Sequence, residues 1–241
     1  MEKGISVVLP AYQEAENLKN ILPVIREALG EMGVSCEILV IDTMEPMDET
    51  ESVCEESGAV YVPREGGNMY GDAIRTGIRR ALYSRIVVMD ADGSHDPKDI
   101  VKFYKQVKKH NFDIVIGSRY IKGGDTHNPF ILRVMSYMLN IAYRVMFGLK
   151  VKDVSDSFRM YNASKLKKLE LTCDNFDIVE EILIRMKIQY PDLMIKEVPI
   201  YFNKRVHGES KRDLKKFIKS YITTMAKLLR IKQQATRQRN R

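Results

Sequence analysis

The stretch RIVVMDADGSHDP (85–97) sets two carboxylates, Asp90 and Asp92, one residue apart at the close of an apolar run. Like charges this close repel, and the pair is costly without a countercharge. A hard divalent cation supplies one: Mg2+ or Mn2+ takes one or two carboxylates, keeps some waters and bridges to substrate phosphates. The plainer alternative has Asp90 capping the following turn and Asp92 facing solvent. Other apolar runs also end on polar chemistry. Pro10-Ala11-Tyr12-Gln13-Glu14 follows the first, Asp42 the second, Arg64 the third and Arg119 the fifth. In open α/β sheets, ligands bind beyond the carboxyl ends of the strands.

The elements that must position these residues alternate. ISVVLP (5–10), CEILVID (36–42), AVYVP (59–63), RIVVMD (85–90) and FDIVIGS (112–118) read as short buried strands. Between them lie helical patterns over 14–32, with Pro23 predicted to bend or split it, over 48–58, over 72–84, and over 97–110 with Pro97 in its first turn. Apolar, non-alternating strands separated by helices predict an α/β fold, a mostly parallel central sheet flanked by helices. Beyond residue 120 the rhythm changes. FILRVMSYMLNIAYRVMFG (130–148) is an unusually apolar, Met-rich helix, read first as core and second as a lipid groove. VKDVSDSFRMYN is a loop or short strand, 175–190 a helix, 195–202 a strand and 211–232 a basic helix.

The 241 residues are 44% hydrophobic and 29% charged, an ordinary globular composition. Three scattered cysteines, Cys36, Cys54 and Cys173, form neither a zinc spacing nor a disulfide framework, and the setting is predicted to be reducing and cytoplasmic. The four histidines share no ligand spacing. The N-terminal apolar run reads as a strand rather than a signal peptide, and no window reaches the ~18 apolar residues of a spanning helix. The net charge of +7 is uneven: from Lys204 to Arg241, 13 Lys/Arg stand against Glu209 and Asp213, a local +11 that leaves −4 for the rest. In LKKFIKSYITTMAKLLRI (214–231), Leu214, Phe217, Ile218, Tyr221, Ile222, Met225 and Leu228 share one helical stripe. That stripe suits either an anionic membrane surface or packing on the protein's own body or a dimer partner. Nucleic acid is disfavoured, since no recognisable nucleic-acid motif accompanies the basic tail.

The ordered set PAYQEAENL, EILVID, VPREGGNMYGDAIRTGI, VVMDADGSHDP, IVIGSRYIKGG, DSFRMY and EVPIYFNKRVHGESK resembles the family-2 glycosyltransferases of the GT-A fold across almost the whole chain. Within them it is most similar to the polyprenyl-phosphate (dolichol-phosphate) mannosyl- and glucosyltransferases. The resemblance implies a GT-A domain over 1–210 and a basic amphipathic C-terminal helix and tail over 211–241. It implies a nucleotide-sugar donor (GDP- or UDP-hexose) cradled by Pro10, Tyr12, Glu14, Asp42, Arg64, Gly71, Asp90, Ala91 and Asp92. It implies a metal held by Asp90 and Asp92 with Ser94 nearby, Asp92 being the more direct ligand. It further implies phosphate-facing cations at Arg119, Arg133, Arg205 and Lys211, with Arg205 and Lys211 on a loop that closes about Gly208.

Elementary chemistry agrees with that assignment. A departing diphosphate gains charge that a metal and a basic loop both stabilise. A sugar hydroxyl needs a general base, whereas a lipid phosphate is already anionic and needs cations, which Arg119, Arg133, Arg159, Arg205 and Lys211 would supply. The chain is therefore read as an inverting, metal-dependent transferase moving a hexose, mannose or glucose, to polyprenyl phosphate. It would work at the cytoplasmic membrane face, with peripheral membrane contact through the basic helix and a homodimer possible. Two alternatives stand beside this reading. One is transfer to a glycan or protein hydroxyl with Asp177, Glu180 or Glu181 as base, although at least two of these three are expected to face solvent or pair with lysines. The other is a catalytically silent nucleotide-binding protein. Three departures from the family pattern bear on the site: IDTMEPMDET carries Thr43 for a second acid and Glu49 for a glycine, NMYG keeps only Gly71 of a Gly-x-Gly, and DSFR has Ser157 where glycine is usual.

Overall fold

The computed structural model describes residues 2–207 and 214–239, with side chains in the last helix from 220 to 238. Gly208 and Lys211 lie outside the described residues. The chain begins with strand β1 (Glu2–Pro10), helix α1 (Ala15–Gly30), β2 (Cys36–Asp42), α2 (Thr50–Ser57), β3 (Val60–Pro63), α3 (Tyr70–Arg80), β4 (Tyr83–Val88), α4 (Asp99–His110) and β5 (Ile114–Ser118). It continues through β6 (Asp125–Thr126), α5 (Phe130–Phe147), β7 (Arg159–Asn162), α6 (Ala163–Leu166), α7 (Ile178–Gln189), β8 (Ile195–Pro199), β9 (Tyr201–Phe202) and α8 (Leu214–Arg239). Seven strands form one sheet in the order β3-β2-β1-β4-β7-β5-β8, and β6 pairs with β9 in a small second sheet.

The sheet is mostly parallel, as its apolar strands predict. In β1, Ile5, Val7 and Leu9 enter the core beneath α1 and α4, while Val8 joins the core on the other face, with Ile74 and Ile78 of α3 and Leu183 of α7. A strand buried on both faces must be apolar at successive positions, which is why β1 shows no alternation. Pro23 sits inside α1 without splitting it, because Leu18, Leu22, Ile25 and Leu29 bury one continuous face.

Past residue 118 the structure departs from the simple alternation. The segment left open as loop or strand supplies β7, antiparallel to both β4 and β5. The strand foreseen over 195–202 divides, β8 pairing with β5 and β9 with β6. The helix expected over 72–84 stops at Arg80, because from Tyr83 the backbone joins the ladder against β1.

Helix α5 corrects two expectations. It is not core: only Asn140, Tyr143 and Phe147 are buried. Its 18 residues, at mean hydropathy 1.2, are also long and apolar enough by length and composition to cross a membrane. The C-terminal stripe resolves the other way. Tyr221 and Leu228 of α8 are buried in the same core as α7, and Met225, Leu229 and Ile231 pack against it, with Ile222 exposed. From residue 220 onward, that stripe belongs mainly to the protein's own body.

Candidate active site

The carboxyl ends of β1, β2 and β4 converge. Ala11 follows β1, donates its amide to Ile41 at 2.9 Å and is buried, while Tyr12 stays 38% exposed. Glu14 opens α1, buried, accepting from Asn17 Nδ2 at 2.5 Å and pairing with Arg205 at 2.7 Å. Burial pushes its carboxyl above the usual range, with Asn17 and Arg205 opposing. Asp42 ends β2, buried, and its Oδ1 accepts no hydrogen bond from the protein. Burial raises its pKa as well, against the Thr43 amide and Arg64. A buried oxygen without a partner is a place for a ligand donor.

Arg64 and Gly71, both assigned to nucleotide by resemblance, have structural work here. The Arg64 guanidinium donates to the carbonyls of Ala11, Asn68 and Met69, which staples the loop 64–69 to the end of β1. At Gly71, an added Cβ would lie 2.1 Å from the Cys173 carbonyl oxygen, and its amide donates to Asp174 at 2.7 Å. Only glycine allows that approach.

The acidic pair lies just past β4, which ends at Val88 rather than on the carboxylates themselves. Asp92 Oδ1 accepts from the Ser94 hydroxyl at 2.5 Å and amide at 3.0 Å. Its Oδ2 faces Arg205 at 3.2 Å. Burial opposes ionisation of Asp92, but Ser94, Arg205 and His95 more than offset it and hold its pKa below the usual range. Ser94 is buried with its hydroxyl turned onto Asp92, so it orients that carboxylate rather than facing outward as a ligand. Asp90 accepts from Tyr70 at 3.2 Å, and its amide donates to His95 Nδ1 at 3.2 Å. Among the described residues, no group of three or more His, Cys, Asp or Glu is placed to hold a metal. Two carboxylates, one of them already facing a cation, fit a hard ion that completes its shell with phosphate oxygens.

The five candidate phosphate-facing cations have different fates. Arg205 sits on the segment after β9, whose backbone docks onto the acidic turn through Asn203 N to Ser94 O at 2.8 Å and Val206 N to Asp92 O at 3.1 Å. The His207 amide donates to Asn17 at 3.0 Å. Arg119 is committed elsewhere: Asp153 takes its Nε and Nη2, each at 2.8 Å, and Asp156 lies 3.2 Å away. Burial opposes the Arg119 charge, but these two carboxylates raise its pKa all the same. Arg159 is fully buried and donates to the carbonyls of Val179 and Val154, so it holds the fold and is corrected as an acceptor contact. Arg133 is exposed in the first turn of α5, 3.7 Å from Asp125. Lys211 is outside the described residues. The carboxylates of DVSD (153–156) were the signal for the Arg119 network, and the sequence reading passed over them.

At least two of the three candidate bases were expected to face solvent or pair with lysines; all three are instead buried, and a lysine, Lys227, approaches Glu181 at 3.9 Å. Asp177 accepts from Thr224 of α8. Glu181 takes the Thr172 and Cys173 amides at 2.9 and 2.8 Å and Arg185 at 2.9 Å. Glu180 sits wholly inside, and burial pushes its pKa up to about 8 against the Arg159 charge and the Tyr221 hydroxyl. Beside them, α5 exposes Phe130, Ile131, Tyr137, Met138 and Val145.

Comparison with known proteins fits this arrangement. The profile of glycosyl transferase family 2 matches residues 6–170. A dolichol-phosphate mannosyltransferase of Pyrococcus furiosus is 34% identical over 86% of this chain, which spans 58% of that protein's length. An undecaprenyl-phosphate mannosyltransferase of Micrococcus luteus is 31% identical over 86% of both. In fold, the chain is similar to glucosyl-3-phosphoglycerate synthase of Mycobacterium tuberculosis, solved with phosphoglyceric acid, at TM-score 0.70 and 20% identity over 94% of this chain and 79% of that one. The same synthase has been solved with Mn2+, uridine diphosphate and glucosyl-3-phosphoglycerate, where the TM-score is 0.68 at 19% identity over the same shares. The sheet order, the acidic turn beyond β4 and these matches have one reading: the chain is a glycosyltransferase of the GT-A fold and belongs to glycosyl transferase family 2.

Proposed function

We propose that the chain moves a hexose, mannose or glucose, from a nucleotide sugar (GDP- or UDP-linked) to a polyprenyl phosphate, with inversion, at the cytoplasmic face of a membrane. The carrying observation is the Asp90/Asp92 turn beyond β4, with Arg205 laid across it from Glu14 at 2.7 Å to Asp92 at 3.2 Å. Acid and base of one ion pair are both groups that a metal–diphosphate complex would separate and use. Asp90 and Asp92 would hold Mg2+ or Mn2+, which when bound supplies positive charge to the leaving diphosphate.

The protein's residues do the rest. Pro10, Ala11, Tyr12 and Asp42 frame the nucleotide, and Asp42, whose buried Oδ1 has no protein hydrogen-bond partner, would accept from a base N–H. Ser94 fixes Asp92, and Arg205 meets the departing diphosphate, a role that Lys211 would share. An acceptor phosphate oxygen attacks the anomeric carbon from the opposite face. The bond from that carbon to the diphosphate oxygen breaks as the new one forms. No proton has to leave the acceptor, which agrees with all three candidate bases being buried. The exposed apolar face of α5 and the cations Arg133 and Lys232 beside it suit a lipid acceptor at an anionic surface.

The test is transfer of labelled sugar to polyprenyl phosphate in vesicles, with and without chelator. Chelator should stop transfer, and Asp92→Asn should lower it by about a hundredfold while the protein stays folded. Equal turnover in chelator would remove the metal, and no lipid product from any donor would remove the acceptor.

A further inference from the structure

Each carboxylate of the acidic turn needs something to aim it. Asp92 has Ser94, through hydroxyl and amide. Asp90 lies two residues beyond the last residue of β4 and only partly buried, so the sheet does not fix its side chain. The Tyr70 hydroxyl reaches it from α3, 3.2 Å from Oδ1. Tyr70 stands in NMYG, one of the stretches where this chain leaves the family pattern.

Tyr70 itself is held on both sides. Its ring stacks on Phe176 with centroids 4.3 Å apart and planes at 27°. Its backbone opens α3, where the Met69 amide donates to Asp72 at 3.0 Å and the Gly71 amide to Asp174 at 2.7 Å. Arg75 ties Asp72 and Asp174 together at 2.6 and 2.9 Å. A hydroxyl on so constrained a ring is a fixed donor. Hydrogen bonds to ionised carboxylates are among the stronger ones, and they select a single side-chain orientation.

We infer that Tyr70 is a positioning residue that holds Asp90 in the orientation a divalent cation needs, with Phe176 as its backing. The two acids thus have separate anchors, one on their own turn and one on α3. Phe176 immediately precedes Asp177, which accepts from Thr224 of α8, so the second anchor also joins the acidic turn to the C-terminal helix. This inference rests on the metal reading proposed above.

The experiment measures Mn2+ binding directly, by the paramagnetic resonance signal of free Mn2+ in the presence of UDP or GDP. The proteins compared are the parent, Tyr70→Phe, Asp90→Asn and the double variant. Phenylalanine keeps the stacked ring and removes only the hydroxyl. Tyr70→Phe should weaken Mn2+ binding about tenfold, the usual cost of losing a partner that orients a metal ligand. Its melting temperature and its metal-free nucleotide affinity should match the parent. In the Asp90→Asn background the same change should add nothing. Parental Mn2+ affinity in Tyr70→Phe overturns the inference, as does a full additional loss in the Asp90→Asn background. A melting temperature and metal-free nucleotide affinity that fall together make Tyr70 a packing residue and overturn it too. A parent that binds no Mn2+ with either nucleotide sinks the metal reading along with this one.

Discussion

Arg119 after β5 and Arg205 after β9 carry the same charge at the same end of the sheet, in two differently built regions. Arg119 is enclosed by two buried carboxylates: Asp153 accepts its amide and two of its guanidinium nitrogens, and Asp156 closes the other side. Around Arg205 the side chain is 29% exposed, and its partners Glu14 and Asp92 are themselves site residues. A charge enclosed by fixed counter-charges is part of the fold. A charge shared between two groups that face a ligand is exchangeable, because a cation or a phosphate can take either partner's place. Motif matching alone treats the two arginines alike, and burial is what separates them.

The sharpest way to break that contrast is to remove each charge in turn. Arg119→Met leaves Asp153 buried without its cation and Asp156 facing His95 at 3.4 Å, a loss on the order of 3–5 kcal/mol of unfolding free energy. Arg205→Met removes a partly exposed pair and should cost about 1 kcal/mol or less, while weakening binding of a nucleoside diphosphate with Mn2+. Urea unfolding of both variants, with nucleotide calorimetry on the second, decides it. Equal destabilisation would show that Arg205 is as structural as Arg119.

The same contrast extends to acids. Glu14 meets Arg205 at the site edge, whereas Glu180 is enclosed between Arg159, Asp177 and Tyr221, with its pKa pushed up to about 8 by burial. A carboxyl whose native pKa is raised holds its proton more tightly folded than unfolded. Its contribution is therefore complete below the ordinary value of 4.5 and is lost as pH rises toward about 8. Glu180→Gln lacks that dependence. Between pH 5 and pH 9 the parent should lose about 2–4 kcal/mol relative to this variant, read from unfolding midpoints at each pH. Parallel curves would mean that Glu180 is ionised in the native core.

How far these features were legible in the sequence follows from how local their causes are. The strands β1 to β5 and the residues that end them announce themselves, because a doubly buried strand must be continuously apolar and its end must turn through polar residues. Asp42, Asp90, Asp92 and Arg205 were all reachable that way or by motif. What the sequence concealed depends on distant partners. Arg159 looks like any other cation until β7 carries it into the core between β4 and β5. Asp177, Glu180 and Glu181 look like a solvated helix start until α8 covers them. Tyr70 looks like an ordinary helix residue, since Asp90 lies twenty positions away along the chain. Helix α5 was misjudged because an apolar composition does not say which medium the side chains meet.

That last point has a test of its own, with the smallest effect on stability. Ile131, Met138 and Val145 are 67%, 65% and 77% exposed and lie seven residues apart, on one stripe of α5. Leu228 of α8, equally apolar, is fully buried. If the α5 stripe meets only water, serine at all three positions changes nothing but solubility. If it meets the interfacial region of a bilayer, each side chain contributes burial on binding and none on folding. The triple serine variant should then keep its unfolding free energy within about 0.5 kcal/mol per site and lose most of its cosedimentation with anionic vesicles. Leu228→Ser should do the opposite, costing about 2–5 kcal/mol of stability with little effect on vesicle binding by the protein that remains folded. Unchanged sedimentation of the triple variant would take α5 out of the membrane contact and leave the lipid acceptor without its proposed approach.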